Sequence, residues 1–482
     1  MLFNSAPFLF AFLPITFSIF FLLGANNCQT LAVAWLATAS LVFYGWDNPL
    51  RLISIIGFSI TFNFVIGWML VRRPSRTLLA IGIVGDLLLL GYFKYVGFFA
   101  ETIGVATGVA VPNLNVVLPI GISFFTFTQI AFLVDAARGE AREYKPLHYL
   151  LFVTFFPHLI AGPIYHHKEI MPQFERHEIF RFDISNLTLG LTWFAIGFSK
   201  KVLLADPIAQ YGTSIFAAAA AGNPVGFVDS WVAALSFTLQ LYFDFSGYCD
   251  MAIGLALMIG VRLPLNFNSP YQATSLIDFW RRWHITLSRF LRDYLYIPLG
   301  ENRKGPYRRH VNLMITMLLG GLWHGASWNF VLWGGLHGVG LVLNHAWQNL
   351  AVRRQFSLPP LVAWAITFTF VVLAWVPFRA SNLQTTLALW QSMVGMNGLF
   401  SAQIPALGQL AAPLCWIVSL LMLILFAPNT QQLLSGHGES LEKVAEPRQL
   451  GLKWAVGAGA LFGVSVLFIV AERPSEFLYF RF

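Results

Sequence analysis

The sequence predicts an all-α polytopic membrane protein, and three observations carry that prediction. Hydrophobic side chains make up 57% of the 482 residues and charged ones only 11%, against about 25% charged in an ordinary soluble domain. The apolarity runs from residue 7 to residue 470 rather than sitting in one anchor, and the mean hydropathy is +0.66. The runs are also apolar on every side, as in PFLFAFLPITFSIFFLLG at residues 7–24, where a membrane β-barrel would show ~10-residue segments of alternating polarity. A secreted disulfide scaffold, a disordered chain and a cytosolic enzyme are excluded.

At ~20 residues per spanning helix, roughly 10–13 transmembrane helices fit this length, with re-entrant and interfacial helices among them. The chain reads as a single integral-membrane domain over 1–482, with a core motif region at about 118–346 and C-terminal helices at about 360–471. The first run has no Lys or Arg before it, so the charged leader of a cleavable signal peptide is missing and the first helix is expected to stay. Thirty Lys and Arg against twenty-two Asp and Glu give +8, but the basic residues sit in short gaps such as Arg72, Arg73 and Arg76, or Arg138, Arg142 and Lys145. That distribution marks cytoplasmic loops rather than a nucleic-acid binder. With RRPSR (72–76) cytoplasmic, counting back three spans places the N-terminus outside. Cys28, Cys249 and Cys415 are far apart and form no CxxC, so neither a disulfide framework nor a thiolate metal site is indicated.

Three stretches break the rhythm of apolar runs. Residues 162–186 carry too many charges and prolines to cross lipid and read as a surface or re-entrant loop, and 428–450 read as a polar loop. The third, between Arg262 and His310, interleaves Arg281, Arg282, Arg289, Arg292, Arg303, Lys304, Arg308 and Arg309 with Phe279, Trp280, Trp283, Phe290, Tyr294 and Tyr296. Three- and four-residue spacings from Asp278 to Asp293 predict an amphipathic helix. It is read either as an anchor in the headgroup layer or as a receptor whose arginines, Arg281 and Arg282 first, bind a phosphate-rich donor; the two are compatible. His284 falls on the side of Trp280 and Leu287, as a packed histidine would.

The sharpest local signal is LLGGLWHGASW (318–328), where His324 stands inside an apolar run. Ionisable groups at such depth face the bundle interior or a water-filled cavity and mark functional sites. Gly320, Gly321 and Gly325 let a substrate or a neighbouring helix come close. The competing readings are a structural histidine bonded to a carbonyl and a small-residue packing seam. His324, His337 and His345 make no tight ligand cluster, so no metal is expected. An imidazole there can take a proton from a hydroxyl that attacks an activated acyl carbon. No GxSxG elbow, P-loop or dinucleotide glycine pattern accompanies it, so direct transfer is the simpler chemistry.

The segments 240–271, 275–300 and 318–338, supported by FYGWDNP (43–49), LPIGISFFTFTQIAFLVD (118–135), FFPHLIAGPI (155–164) and FLYFRF (477–482), resemble the membrane-bound O-acyltransferase family. The likeness is to its bacterial branch of alginate O-acetylation membrane subunits and teichoic acid D-alanyl transfer proteins. The resemblance implies a many-helix fold around a central tunnel. His324 takes the catalytic position and His284 that of a second, donor-side histidine. Asn266 and Asn268 match a segment near the tunnel, and Trp323, Arg281 and Arg282 are read as substrate-binding. Leu265 and Tyr165 depart from the family pattern, which often has Glu and Arg there. The implied function is transfer of acetyl from a cytoplasmic thioester, acetyl-CoA or an acyl carrier, with no bound cofactor. The acceptor is a hydroxyl of an extracytoplasmic polysaccharide or of an esterase-like relay partner, and the site is a bacterial cytoplasmic membrane. The alternatives are D-alanyl transfer from a carrier protein to teichoic acid, and a non-catalytic acyl or lipid transporter.

Overall fold

A computed structural model describes residues 1–109, 114, 116–143, 145–301, 303, 305–400, 410–434, 451–471 and 475–478. The expected polar loop from 435 onward, Lys304 and the last four residues of FLYFRF lie outside the described residues. The described residues form helices and their connections, with no β-strand among them. Among the described residues six helices are long and apolar enough to cross a membrane: Phe8–Ala25, Leu52–Arg72, Arg76–Thr107, Ile184–Ala220, Pro360–Arg379 and Leu452–Ala471. Gln29–Tyr44, Ile122–Ala137 and Ala411–Phe426 are shorter apolar helices. Other apolar runs fold differently from simple spans. The run near 147–164 is helical only over Pro146–Thr154 and then turns, whereas the runs near 311–327 and 329–346 lie in Gly305–His324 and Trp328–Arg354. Large side chains such as Leu22, Leu88, Leu361 and Leu467 point outward, where hydrocarbon rather than water is the matching solvent.

The chain divides into two compact units. The first comprises Met1–Ser199, Tyr248–Leu265 and Leu434–Arg481. Its core holds Phe3 against Phe8 and Tyr248, with ring centroids 5.0 and 4.8 Å apart. Helices Ile184–Ser199 and Phe227–Met258 cross where Gly190 meets Gly254, since a Cβ on Gly190 would lie 2.6 Å from the Gly254 carbonyl oxygen. Such small residues let helices pack in a medium that supplies no hydrophobic drive between them. The loop at 162–186 is mostly not at the surface in its first half: Tyr165, His166 and His167 are buried, and His167–Phe174 is helical. Two of its buried histidines face carboxyl groups, with His167 Nε2 3.2 Å from Glu143 and His166 Nδ1 3.5 Å from Asp135.

The second unit, Lys200–Gly247 and Asn266–Leu433, carries every residue expected at the site. Its centre is the pair Gly305–His324 and Trp328–Arg354. A Cβ on Gly321 would collide with the Phe330 carbonyl, one on Gly334 with the Met317 carbonyl, and one on Gly325 with the Phe330 ring. The glycines around His324 therefore admit the neighbouring helix rather than leave open room. A buried ion cluster holds the start of this unit: Lys201 Nζ lies 2.7 Å from Asp244 and 2.8 Å from Asp206.

Candidate active site

The amphipathic helix expected from Asp278 to Asp293 is two short helices, Leu276–Arg282 and Ile285–Leu291, followed by a wider turn at Arg292–Tyr296. Ser275 starts the first by accepting from the Asp278 amide at 3.1 Å, an N-cap that satisfies a free donor. The break falls at His284, whose φ of +43° lies in the left-handed region, unfavourable for a residue with a Cβ. The segment Asn266–Asn268 stabilises it from outside. The Asn268 amide donates to the Arg282 carbonyl at 2.9 Å, and the Ile285 amide to the Asn266 carbonyl at 3.0 Å. Backbone groups that a continuous helix would have paired internally are thus paired with a neighbouring strand-like segment.

The Asn266 side chain completes the break. Its Oδ1 accepts from the Thr286 amide at 3.2 Å and the Thr286 hydroxyl at 2.9 Å, and lies 3.1 Å from His284 Nδ1. A backbone N–H can only donate, so the atom facing it is the amide oxygen. His284 Nδ1 must then carry the hydrogen, and in the neutral ring Nε2 holds the lone pair. Asn268 does different work: its Oδ1 accepts from Gln431 Nε2 at 2.8 Å and Asn429 Nδ2 at 3.2 Å. It ties the segment to residues 429–431 rather than reaching a histidine ring.

His324 closes the Gly305–His324 helix and is 3% exposed. Aromatic rings surround it: Trp323 at 4.9 Å, Trp333 at 5.0 Å and Phe378 at 5.1 Å between centroids. The His284 ring stands 6.3 Å away, itself against Phe245 at 4.8 Å and Trp323 at 6.0 Å. The two histidines therefore share one buried aromatic enclosure, with Trp323 touching both. Arg281 and Arg282 lie outside it. Arg281 is exposed, whereas Arg282 Nε donates to Asp278 at 2.9 Å and its NH1 to the Asn268 carbonyl at 3.4 Å. Among the described residues no group of three or more His, Cys, Asp or Glu side chains is placed to hold a metal ion.

Sequence reasoning did not single out Trp333, Phe378, Phe245 or Thr286. Trp333 lies nine residues beyond His324, which a single continuous helix would place on another face; the turn at 325–327 returns it to the ring. Phe378 comes from the end of Pro360–Arg379, and no local spacing signals that approach.

The chain belongs to the membrane-bound O-acyltransferase family, which matches residues 115–390, and it is an integral membrane enzyme of the acyltransferase class. It is 39% identical to the peptidoglycan O-acetyltransferase of Helicobacter pylori, over 100% of this chain and 98% of that one. It is 43% identical to the probable alginate O-acetylase AlgI of Pseudomonas aeruginosa, over 82% of this chain and 75% of that one. The teichoic acid D-alanyltransferase of Streptococcus thermophilus is more distant, at 28% over 54% of this chain and 68% of that one.

Proposed function

We propose that the protein transfers an acetyl group from a cytoplasmic thioester, acetyl-CoA, to a hydroxyl of a cell-envelope polysaccharide or of an extracytoplasmic relay partner. The observation that carries this reading is the 6.3 Å pairing of His324 and His284 in one buried aromatic enclosure. Its support is the relatives named for O-acetylation of peptidoglycan and alginate. The chain sits in the bacterial cytoplasmic membrane with its N-terminus outside, so that donor and acceptor approach from opposite faces.

In this mechanism His324 takes the proton of the acceptor hydroxyl as its oxygen bonds to the thioester carbon. The tetrahedral intermediate collapses, the C–S bond breaks, and the imidazolium returns the proton to the departing thiolate. The products are an ester and a thiol. His284, held as its Nδ1–H form by Asn266, presents Nε2 as an acceptor on the donor side. Trp323 packs against both rings, Asn268 holds the supporting segment, and Arg281, exposed, meets the donor's phosphates with Arg282 beside it. Holding both reactants in one enclosure turns an encounter across a membrane into an oriented reaction.

The test uses full-length protein in lipid vesicles, acetyl-CoA as donor, and peptidoglycan glycan strands or alginate oligosaccharides as acceptors. Replacing His324 with Ala or Gln should lower transfer by about 100- to 10,000-fold; undiminished transfer would overturn the reading. A D-alanyl carrier protein offered in parallel separates acetyl from D-alanyl transfer. Vesicles with donor and no acceptor expose a transporter, which would move intact donor.

A further inference from the structure

Two buried N–H groups of the aromatic cluster that includes His324, on Trp333 and His337, are not used by the mechanism above. His337 sits one helical turn beyond Trp333 on Trp328–Arg354, so both side chains project from one face. Their rings are 4.8 Å apart, and the Trp333 ring is 5.0 Å from His324. Trp280 Nε1 lies 3.3 Å from His337 Nδ1. An indole nitrogen can only donate, so Nδ1 is the acceptor and the neutral His337 ring carries its hydrogen on Nε2. Among the described residues neither His337 Nε2 nor Trp333 Nε1 has a hydrogen-bond partner, and the two residues are 0% and 1% exposed.

Two buried donors without acceptors carry a desolvation cost that a purely structural aromatic core would avoid with Phe or Leu. An incoming oxygen removes that cost. Acyl transfer generates such an oxygen, because attack on the thioester moves the carbonyl π pair onto the carbonyl oxygen. Preorganised N–H groups that strengthen their hydrogen bonds to this oxygen accelerate the step.

We propose that Trp333 Nε1–H and His337 Nε2–H receive the carbonyl oxygen of the transferred acyl group and stabilise its oxyanion, with Trp280 fixing the His337 ring in its donating form. This inference rests on the acyl-transfer reading. The O–H proton passes to His324, the O–C bond forms as the carbonyl pair moves to oxygen, and that pair re-forms C=O as the thiolate leaves and takes the proton.

The test follows thiol release from acetyl-CoA with glycan acceptors, using full-length protein in vesicles. Trp333→Phe keeps the ring and deletes its N–H. His337→Asn keeps an acceptor for Trp280 and deletes the distal donor, whereas His337→Gln can restore an N–H at the position of Nε2. The expected result is a kcat about 100- to 1,000-fold lower for Trp333→Phe or His337→Asn, with KM for acetyl-CoA and Tm near wild type and partial recovery in His337→Gln. Trp333→Phe and His337→Asn both turning over at the wild-type kcat would overturn the donor pair while leaving His324 chemistry intact. So would losses matched by a fall in Tm and not recovered by Gln. Full activity in His324→Ala would instead remove the underlying reading, and the donor pair with it.

Discussion

Replacing Asn266 with Ala removes one oxygen that serves three donors: the Thr286 amide, the Thr286 hydroxyl and His284 Nδ1. Asn266 and His284 are 1% and 0% exposed, so water cannot simply take over. Each buried donor left unpaired costs about 1–3 kcal/mol. The Thr286 hydroxyl can rotate to another acceptor, which leaves two donors and a total of about 2–6 kcal/mol. The left-handed backbone at His284 also loses its external support. By the scaling of folding units of 150–250 residues, this corresponds to a fall in Tm on the order of 10 °C. The thiol of Cys249 is buried, whereas Cys28 is half-buried and Cys415 exposed, so a thiol-reactive dye read during heating reports the uncovering of Cys249 above the signal of the other two. Asn266→Asp provides the contrast. A carboxylate still accepts from all three donors, so Tm should fall much less. It also favours imidazolium at His284, turning Nε2 from acceptor into donor, so transfer should fall sharply in a protein that remains folded. An Asn266→Ala protein melting within about 2 °C of wild type would refute the reasoning, because the break at His284 would then not depend on this amide.

Lys201→Met leaves Asp244 and Asp206 without their shared cation, and breaking a buried pair in this way should cost about 3–5 kcal/mol, seen as a lowered Tm that Asp244→Leu partly restores. Gly334→Ala should disrupt the crossing with Gly305–His324, because its Cβ meets the Met317 carbonyl, whereas Gly335→Ala, whose nearest neighbour is the Leu318 methyl at 3.7 Å, should be tolerated; expression and monodispersity in detergent report the difference. Acidification should destabilise the first unit. Burial pushes Glu143 up, but the His167 hydrogen bond, the Lys145 amide and the nearby His167 and His148 together hold it below its usual range. Burial holds His148 down, with Glu143 opposing. A depressed carboxylate stabilises above its unfolded value and loses that contribution as pH falls through its folded one, and a depressed histidine resists protonation below about pH 6.5. Both act in one direction, so Tm should decline from roughly pH 6.5 downward, and Glu143→Gln should flatten the lower part of that decline.

The membrane class was legible because its signal, long runs without charge, is local, and the one polar ring inside such a run, His324, is a local signal too. The break at His284 was not. Its cause is Asn266, 18 residues earlier, and the helical spacing of Asp278, Arg281 and Arg282 gives no hint that the turn is interrupted. The arginines were read as one polar face of a single helix, but that helix is broken at His284, and Arg282 spends its guanidinium on Asp278 and the Asn268 carbonyl. The glycines near His324 signalled close approach, and helix periodicity alone could not distinguish a substrate from the Trp328–Arg354 helix as the thing that approaches. His337 was weighed only as a metal ligand, since its pairing with Trp280 joins residues 57 apart in sequence. Phe378 reaches His324 from a helix that ends more than fifty residues later, an approach set by tertiary packing.

The central claim is that acyl transfer takes place in the enclosure of His324 and His284. An electron-microscopy map of the full-length protein in lipid nanodiscs with a non-transferable thioether analogue of acetyl-CoA tests it directly. The expected result is the two-carbon group beside the His324 ring, among Trp323, Trp333 and Phe378, with the thioether sulfur on the His284 side. An analogue bound with its two-carbon group elsewhere, and both rings packed as they are without it, would contradict the account.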